Sequence, residues 1–150
     1  MTTKAAVDDF ISQKTLAVVG VSKKKGKFGS TVYRELKAKG YRVFPVNPKI
    51  DDFEGDKCYR SLKELPEVPG GAVIVVSPKA TENVVRDAAA AGISRIWLQQ
   101  GAESKEAIDL CKENGIDVTH GHCILMFAEP TGFPHRVHRC IWRLLGKLPR

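Results

Sequence analysis

The stretch "TLAVVGVSKKKGKFGSTVYRELKAKGYRVFPV" (residues 15–46) decides the fold. An apolar, β-branched run ends at Gly20, and a loop rich in lysine and glycine follows it. Residues 29–39 then place their apolar side chains at helical spacing, and a second apolar run occupies 41–46. This succession predicts a βαβ unit with two buried, parallel strands.

The rest of the chain repeats the same alternation. Further strands are predicted at 71–76, 94–99 and 116–120, and helices at 78–91, 103–114 and 134–145. The pattern predicts the α/β class: a Rossmann-like, doubly wound parallel sheet of about five strands in the order 3-2-1-4-5, with helices on both faces. Ligands bind such sheets at the carboxyl ends of the strands. We expect the site near a switch point between the first and the fourth strand.

The length of the chain and its cysteine content indicate the class of protein. The 150 residues predict a single domain over 1–150, with an N-terminal helix at 1–12 and a basic C-terminal helix at 134–150. The N-terminus carries no signal-peptide pattern, and no apolar run reaches the length of a membrane span. The four cysteines form no CxxC pair. We therefore expect reduced thiols, a cytoplasmic location and no membrane partner.

Positive charge is concentrated in two zones of the chain. The net charge is +7, and residues 23–49 hold nine basic side chains and a single acidic one. Residues 134–150 hold five basic side chains and no acidic one, whereas the remainder is net acidic. This distribution favours a local anionic ligand over non-specific coating of nucleic acid.

The loop after the first strand has features of a phosphate site. Gly20 permits a tight turn, and Phe28, Gly29 and Ser30 begin a helix whose free N–H groups can hold phosphate oxygens. The loop does not match GxGxxG, because Ser22 stands where the second glycine would be. The alternative is a plain turn with solvated lysines.

The end of the second strand distinguishes between nucleotide ligands. It reads "PVNPK" (residues 45–49), and no acidic residue occurs before Asp51. NAD-binding folds place an Asp or Glu there to hold the ribose hydroxyls. Asn47 and the cation Lys49 instead favour an adenine nucleotide with a phosphate on the ribose. Coenzyme A, with its 3′-phosphate, and NADP both fit.

Four segments together resemble a known family. They are "VVGVSKKKGKFGSTVYRELKAKGYRVFPVNPK", "GDKCYRSLKELPE", "VIVVSP" and "RIWLQQGAESKEAIDLCKENGIDV". The chain over residues 10–125 resembles the small single-domain CoA-binding proteins. These are similar to the N-terminal CoA-binding domain of the succinyl-CoA synthetase α-subunit and of ADP-forming acyl-CoA synthetases. Lys23-Lys24-Lys25-Gly26 departs from the acidic or proline-containing turn that this family often carries.

The resemblance implies a set of ligand contacts. The turn after the first strand and the helix start would hold the pyrophosphate, Lys49 would meet the ribose phosphate, and residues 76–78 would line the adenine or pantetheine side. The predicted cofactor-binding residues are Gly20, Val21, Ser22, Lys23, Phe28, Gly29, Ser30, Asn47, Pro48, Lys49, Val76, Ser77 and Pro78.

Chemistry beyond binding is not predicted. No nucleophile, base and orienting group occur at readable spacing, and the synthetases carry their phosphorylated histidine and nucleotide-grasp domain elsewhere. We expect no catalytic residue and no metal. The predicted function is binding of coenzyme A or an acyl-CoA by a carrier, sensor or regulatory protein whose partner enzyme is unknown.

The sequence is also compatible with other ligands and with a metal site. The ligand could be NADP in a redox sensor or oxidoreductase, and the C-terminal basic helix could bind nucleic acid or form a homodimer contact. A metal site would draw on His120, His122, Cys123, His135 and His138, which match no standard zinc spacing. Cys123 could also form a mixed disulfide with the CoA thiol, provided that a neighbouring histidine lowers its pKa.

Overall fold

The computed structural model describes residues 2–128 of the chain, in which strands and helices alternate. The helices are α1 (Lys4–Ile11), α2 (Phe28–Ala38), α3 (Pro78–Ala90) and α4 (Lys105–Glu113). The strands are β1 (Thr15–Val19), β2 (Arg42–Val46), β3 (Asp52–Phe53), β4 (Asp56–Lys57), β5 (Gly71–Ile74), β6 (Arg95–Leu98) and β7 (Asp117–Thr119). Short 3-10 turns span Leu62–Glu64 and Ile124–Met126. The helix predicted at 134–145 lies outside the described residues.

Five strands form one parallel sheet with helices on both faces, in the order β2-β1-β5-β6-β7. Side chains alternate across β1: Leu16 and Val18 belong to the apolar core that also contains the buried residues of α1 and α2. Ala17 and Val19 belong to the core that contains those of α3 and α4. This two-sided burial explains why the strand is apolar throughout. The predicted α/β class and doubly wound parallel sheet are confirmed.

The predicted strand order is wrong. Counted along the chain, the five sheet strands are arranged 2-1-3-4-5, so β2 lies at the edge and β5 pairs with β1. Two features exclude a further full strand outside β2. Pro45 has no N–H to offer on the outer side, where its carbonyl accepts from Tyr59 N–H at 2.9 Å. The Tyr59 segment, bridged in parallel to Val46, already covers that part of the edge.

The observed strand order changes which strand ends are expected to flank the binding crevice. In a 2-1-3-4-5 sheet the connections change direction between the first and third strands, here β1 and β5. The crevice therefore lies between the residues that follow Val19 and those that follow Ile74. The end of β6, which the predicted order placed beside β1, is one strand further away.

A small antiparallel hairpin, β3–β4, packs against α2 beside this edge. Phe53 is buried and meets the Tyr33 ring edge-on, with 5.2 Å between centroids. The Tyr33 hydroxyl and the Lys37 ammonium both donate to Asp56, and these hydrogen bonds hold the pKa of Asp56 below its usual value. Burial raises the pKa of Tyr33. The hairpin is thus fixed to the helix that begins at the predicted site.

Within residues 2–128, every helix is too short or too polar to cross a lipid bilayer.

Candidate functional site

Two glycines let three backbone segments meet at the carboxyl end of β1. Gly20 has φ +121°, and a Cβ on it would lie 2.1 Å from the carbonyl oxygen of Val75. A Cβ on Gly29 would lie 2.2 Å from the carbonyl oxygen of Gly20. Only glycine fits at either position without movement of the backbone. The start of α2 can therefore approach the β1 turn and the end of β5 closely.

Ser30 fastens the loop to the helix. Its side chain is buried, accepts the Ser22 N–H at 2.9 Å and donates to the Ser22 carbonyl at 2.9 Å. The Ser22 hydroxyl in turn accepts the Lys24 N–H at 3.1 Å. Ser22 and Ser30 are both predicted ligand contacts, and in the structure their hydroxyls stabilise the conformation of the loop.

Replacing Ser30 with alanine is expected to lower the free energy of unfolding by about 1–2 kcal/mol. The change removes two hydrogen bonds of a buried hydroxyl and leaves the Ser22 N–H without its acceptor. Urea titration followed by circular dichroism measures the effect. Ser12→Ala is the matched control, because that hydroxyl is exposed and donates to the Asp9 carbonyl at the end of α1. A Ser30→Ala protein as stable as Ser12→Ala would contradict this role.

The first turn of α2 presents free backbone donors. Its N-cap residue, Lys27, makes no side-chain capping hydrogen bond. The Ser30 N–H donates to the Lys27 carbonyl at 3.2 Å, so one predicted donor is already used. The N–H groups of Phe28 and Gly29 have no hydrogen-bond partner among residues 2–128. These two donors, at the positive end of the helix dipole, are suited to an anion.

A cavity of about 370 Å³ opens at the loop before α2, and its lining includes Lys27 and Ser30 but not Phe28 or Gly29. Five cationic side chains and one carboxylate line it, together with the backbone of the loop. The lining residues are Ser22, Lys23, Lys24, Lys25, Gly26, Lys27, Ser30, Thr31, Arg34, Phe53 and Glu54. Sequence reasoning missed Thr31, Arg34, Phe53 and Glu54, and the predicted contacts also left out Lys24, Lys25, Gly26 and Lys27. The signal that was available is the helical position of Arg34, one turn after Ser30.

Two of the five cationic side chains in the cavity form ion pairs with carboxylates, and three do not. Lys23 pairs with Asp52 at 3.2 Å, and Arg34 Nε lies 2.8 and 2.9 Å from the two carboxylate oxygens of Glu54. Within the described part of the chain, the ammonium groups of Lys24, Lys25 and Lys27 form no ion pair. The cavity therefore keeps a net positive charge, which favours an anionic group inside it.

Asn47 joins the end of β2 to the β1 turn. Its side-chain amide donates to the Val21 carbonyl at 2.7 Å, and its carbonyl oxygen accepts the Lys49 N–H at 2.7 Å. Pro48 and Lys49 are exposed, and the Lys49 ammonium has no ion-pair partner within residues 2–128. Asn47 thus sets the path of the backbone that carries Lys49, and Lys49 does not line the cavity described above.

Val76, Ser77 and Pro78 lie at the end of β5, adjacent to the Gly20 turn. Val76 is half-buried, and the two residues after it are exposed. The Ser77 hydroxyl accepts the Ala80 N–H at 3.4 Å and caps α3. The structure thus brings the predicted contacts within residues 20–30, 47–49 and 76–78 to the carboxyl ends of β1, β2 and β5. Of these predicted contacts, Ser22, Lys23 and Ser30 line the cation-lined cavity and the others do not.

The histidine and cysteine residues after β7 are positioned by backbone contacts. Gln99 is buried and its side chain accepts the Ile124 N–H at 3.1 Å, while Trp97 Nε1 donates to the His122 carbonyl at 3.0 Å. Burial lowers the pKa of both His120 and His122, which disfavours the charged imidazolium. Among residues 2–128 no three metal-binding side chains converge, and His135 and His138 lie outside that range.

Burial also raises the pKa of the Cys123 thiol, so the condition for a mixed disulfide, a histidine that lowers this pKa, is not met. A group with a raised pKa stays protonated to higher pH, and only the thiolate attacks a disulfide. We expect native protein incubated with CoA disulfide at pH 8 to gain no reducible adduct on Cys123. Intact mass measurement, with Cys123→Ser and with urea-unfolded protein as controls, checks this. An adduct on the native protein that disappears in Cys123→Ser would refute it.

Comparison with known proteins places this chain in a family. The model of the family described as CoA binding domain matches residues 14–129. The alpha subunit of ADP-forming acetate–CoA ligase II of Pyrococcus furiosus is 27% identical over 129 residues, which are 79% of this chain and 28% of the subunit. This chain therefore spans little more than a quarter of that relative.

Small relatives match over most of their length. The uncharacterized protein YneT of Bacillus subtilis is 30% identical over 126 residues, which are 81% of this chain and 90% of YneT. The solved structure of a conserved hypothetical protein of Pyrococcus furiosus is 41% identical, with a TM-score of 0.71, over 74% of this chain and 96% of that one. Since the family model covers most of the sequence, this chain belongs to the CoA-binding domain family.

Proposed function

We propose that this chain binds coenzyme A or an acyl-CoA, with the pyrophosphate at the cation-lined cavity. The observation that carries the proposal is the cavity itself, which five cationic side chains line where the loop after β1 leads into α2. The two unpaired N–H groups of Phe28 and Gly29 follow Lys27, a lining residue, and add backbone donors at the start of the same helix. A diphosphate offers several charged oxygens, which can accept hydrogen bonds from backbone donors and from lysine or arginine together. The close approach at Gly20 and Gly29 leaves the turn without side chains in the way.

The 3′-phosphate of the ribose is assigned to Lys49. Its ammonium is exposed, has no ion-pair partner within residues 2–128, and is carried by backbone that Asn47 ties to the β1 turn. A carboxylate in this region would repel a phosphorylated ribose, whereas a cation attracts it. Val76, Ser77 and Pro78 border the crevice on the β5 side and are assigned to the adenine or pantetheine part of the ligand.

We further propose that the chain binds this ligand without carrying out ligase chemistry itself, as a carrier, sensor or regulatory protein. Burial raises the pKa of Cys58, Cys111 (to about 11) and Cys123, so none of the three is an activated nucleophile. These three cysteines are free thiols, which supports a reducing, cytoplasmic location.

Isothermal titration calorimetry with CoA, NADP and a generic RNA tests the ligand class. We expect CoA to bind, and the double variant Lys24→Ser, Lys25→Ser to weaken that binding at least about tenfold, because charge-assisted contacts to phosphate are lost. The matched control is Lys14→Ser, Lys112→Ser. Both control lysines are exposed and, within residues 2–128, unpaired. They lie before β1 and at the end of α4, near the opposite edge of the sheet.

The alternatives give different results in the same titration. NADP binding stronger than CoA binding would favour a dinucleotide protein. Salt-dependent RNA binding that is lost when residues 134–150 are deleted would favour a nucleic-acid module. Failure of CoA to bind at millimolar concentration would refute the proposal.

A further inference from the structure

Arg34 and Glu54 form an ion pair at the wall of the cavity, and a phosphate could take the place of the carboxylate. Arg34 Nε lies 2.8 and 2.9 Å from the two oxygens of the Glu54 carboxylate. A guanidinium group binds carboxylate and phosphate through the same planar arrangement of donors. Both side chains line the cavity that also holds the unpaired lysines of the loop.

The acidic partner comes from a turn that is under backbone strain. Glu54 has φ +48°, a conformation that non-glycine residues seldom adopt, and Gly55 follows with φ +87°. The hairpin is held to α2 by Asp56, the first residue of β4 after the turn, through Tyr33 and Lys37 and not through Glu54. The tip can therefore release Arg34 while the rest of the hairpin stays in place.

The Arg34–Glu54 ion pair is exposed to solvent, so a phosphate can reach Arg34 and replace the carboxylate. The side chains of Arg34 and Glu54 are 56% and 42% exposed, and those of Lys23 and Asp52 are 55% and 69% exposed. Exposed ion pairs contribute little stability, because water screens the charges. A diphosphate carries more charge than one carboxylate, so it can displace Glu54 from Arg34.

We propose that Arg34 is a phosphate-binding residue and that Glu54 is a built-in competing anion that occupies it in the unliganded chain. Asp52 acts on Lys23 in the same way. The affinity of the cavity for phosphate is then set partly by the hairpin: each bound phosphate must first replace a carboxylate. This inference deepens the proposed function and rests on it for the identity of the ligand.

A double-mutant cycle with inorganic pyrophosphate tests the pairing. The proteins are wild type, Glu54→Gln, Arg34→Gln and the double variant, all titrated by calorimetry. We expect Glu54→Gln to tighten pyrophosphate binding about fivefold and Arg34→Gln to weaken it about tenfold. In the Arg34→Gln background, Glu54→Gln should change the affinity less than about twofold, since its target is gone.

The matched control is Glu67→Gln. It removes an ion pair with Arg42 of similar exposure, 44% and 65%, at the amino-terminal side of the sheet. We expect this variant to bind pyrophosphate like the wild type. Glu54→Asn serves as a second variant, because asparagine adopts a positive φ more readily than most residues and so suits the conformation of this turn. Circular dichroism establishes folding of each variant.

The direction in which Glu54→Gln changes the affinity for pyrophosphate distinguishes competition by Glu54 from a structural role of the hairpin. A hairpin that merely shapes the cavity would loosen on loss of Glu54, and binding would weaken. Unchanged or weaker binding in Glu54→Gln overturns the inference, and so does equal tightening in both backgrounds, which would reflect general charge alone. Absence of pyrophosphate binding by all four proteins at millimolar concentration also overturns it.

The same four proteins, titrated with CoA, keep the two proposals apart. If the pyrophosphate cycle shows coupling but CoA does not bind, the inference stands for a phosphate ligand and the proposed function fails. If CoA binds and the cycle shows no coupling, the proposed function stands and the competing anion is refuted.

Discussion

Replacing Gly29 with alanine is expected to lower the free energy of unfolding by about 3 kcal/mol and to weaken CoA binding at least about tenfold. The added Cβ would lie 2.2 Å from the carbonyl oxygen of Gly20 and 2.6 Å from its carbonyl carbon. Both are backbone atoms, which no side-chain rotation can move away. The start of α2 must therefore shift from the β1 turn, and the N–H groups of Phe28 and Gly29 shift with it.

Gly115→Ala is the matched control for this substitution. Gly115 follows α4 with φ +67°, and a Cβ there would meet no atom within 4 Å. Its cost should be about 1 kcal/mol, from backbone conformation alone. Gly29 has no positive φ, so its larger cost would come from contact alone. Urea unfolding and calorimetry with CoA measure the two effects. Equal stabilities of the two variants would show that the close approach of α2 is not required.

The elements of the fold could be predicted because each has a strong local signal. Buried strands are apolar on both faces, and α3 begins with a serine cap and a proline.

The strand order was predicted wrongly, although the sequence contains a signal for it. Pro45 in the second strand marks an edge position, since it cannot donate a hydrogen bond to an outer neighbour. The role of Tyr59 in covering that edge depends on tertiary contact and leaves no local pattern.

The candidate site was predicted only in part, because only some of its segments have a local sequence signal. The Gly20 turn and the helix start have a recognisable pattern, whereas strands of two residues, such as β3 and β4, are too short for hydrophobic periodicity to reveal. The hairpin that contributes Phe53 and Glu54 to the cavity was therefore not foreseen. Nor can sequence reasoning tell that the Ser30 hydroxyl is already engaged within the loop.

Lys49→Glu is expected to weaken CoA binding at least about fiftyfold, the largest effect on affinity among the substitutions considered. A charge-assisted contact to a phosphate is worth about 1.5–3 kcal/mol, and the new carboxylate adds repulsion. The backbone N–H of residue 49 can still donate to Asn47, so the path of the chain is kept. Stability should change little, because the Lys49 side chain is exposed and has no ion-pair partner within residues 2–128.

Dephospho-CoA, which lacks the 3′-phosphate, shows whether Lys49 meets that group. The wild type should bind CoA at least about tenfold more tightly than dephospho-CoA. Lys49→Glu should remove or reverse this preference and change dephospho-CoA binding little, and Lys14→Glu should leave both affinities unchanged. If Lys49→Glu weakened CoA and dephospho-CoA equally, Lys49 would act on another part of the ligand. The preference for a phosphorylated ribose would then need a different cation, because the coupling between residue and phosphate is what this comparison measures.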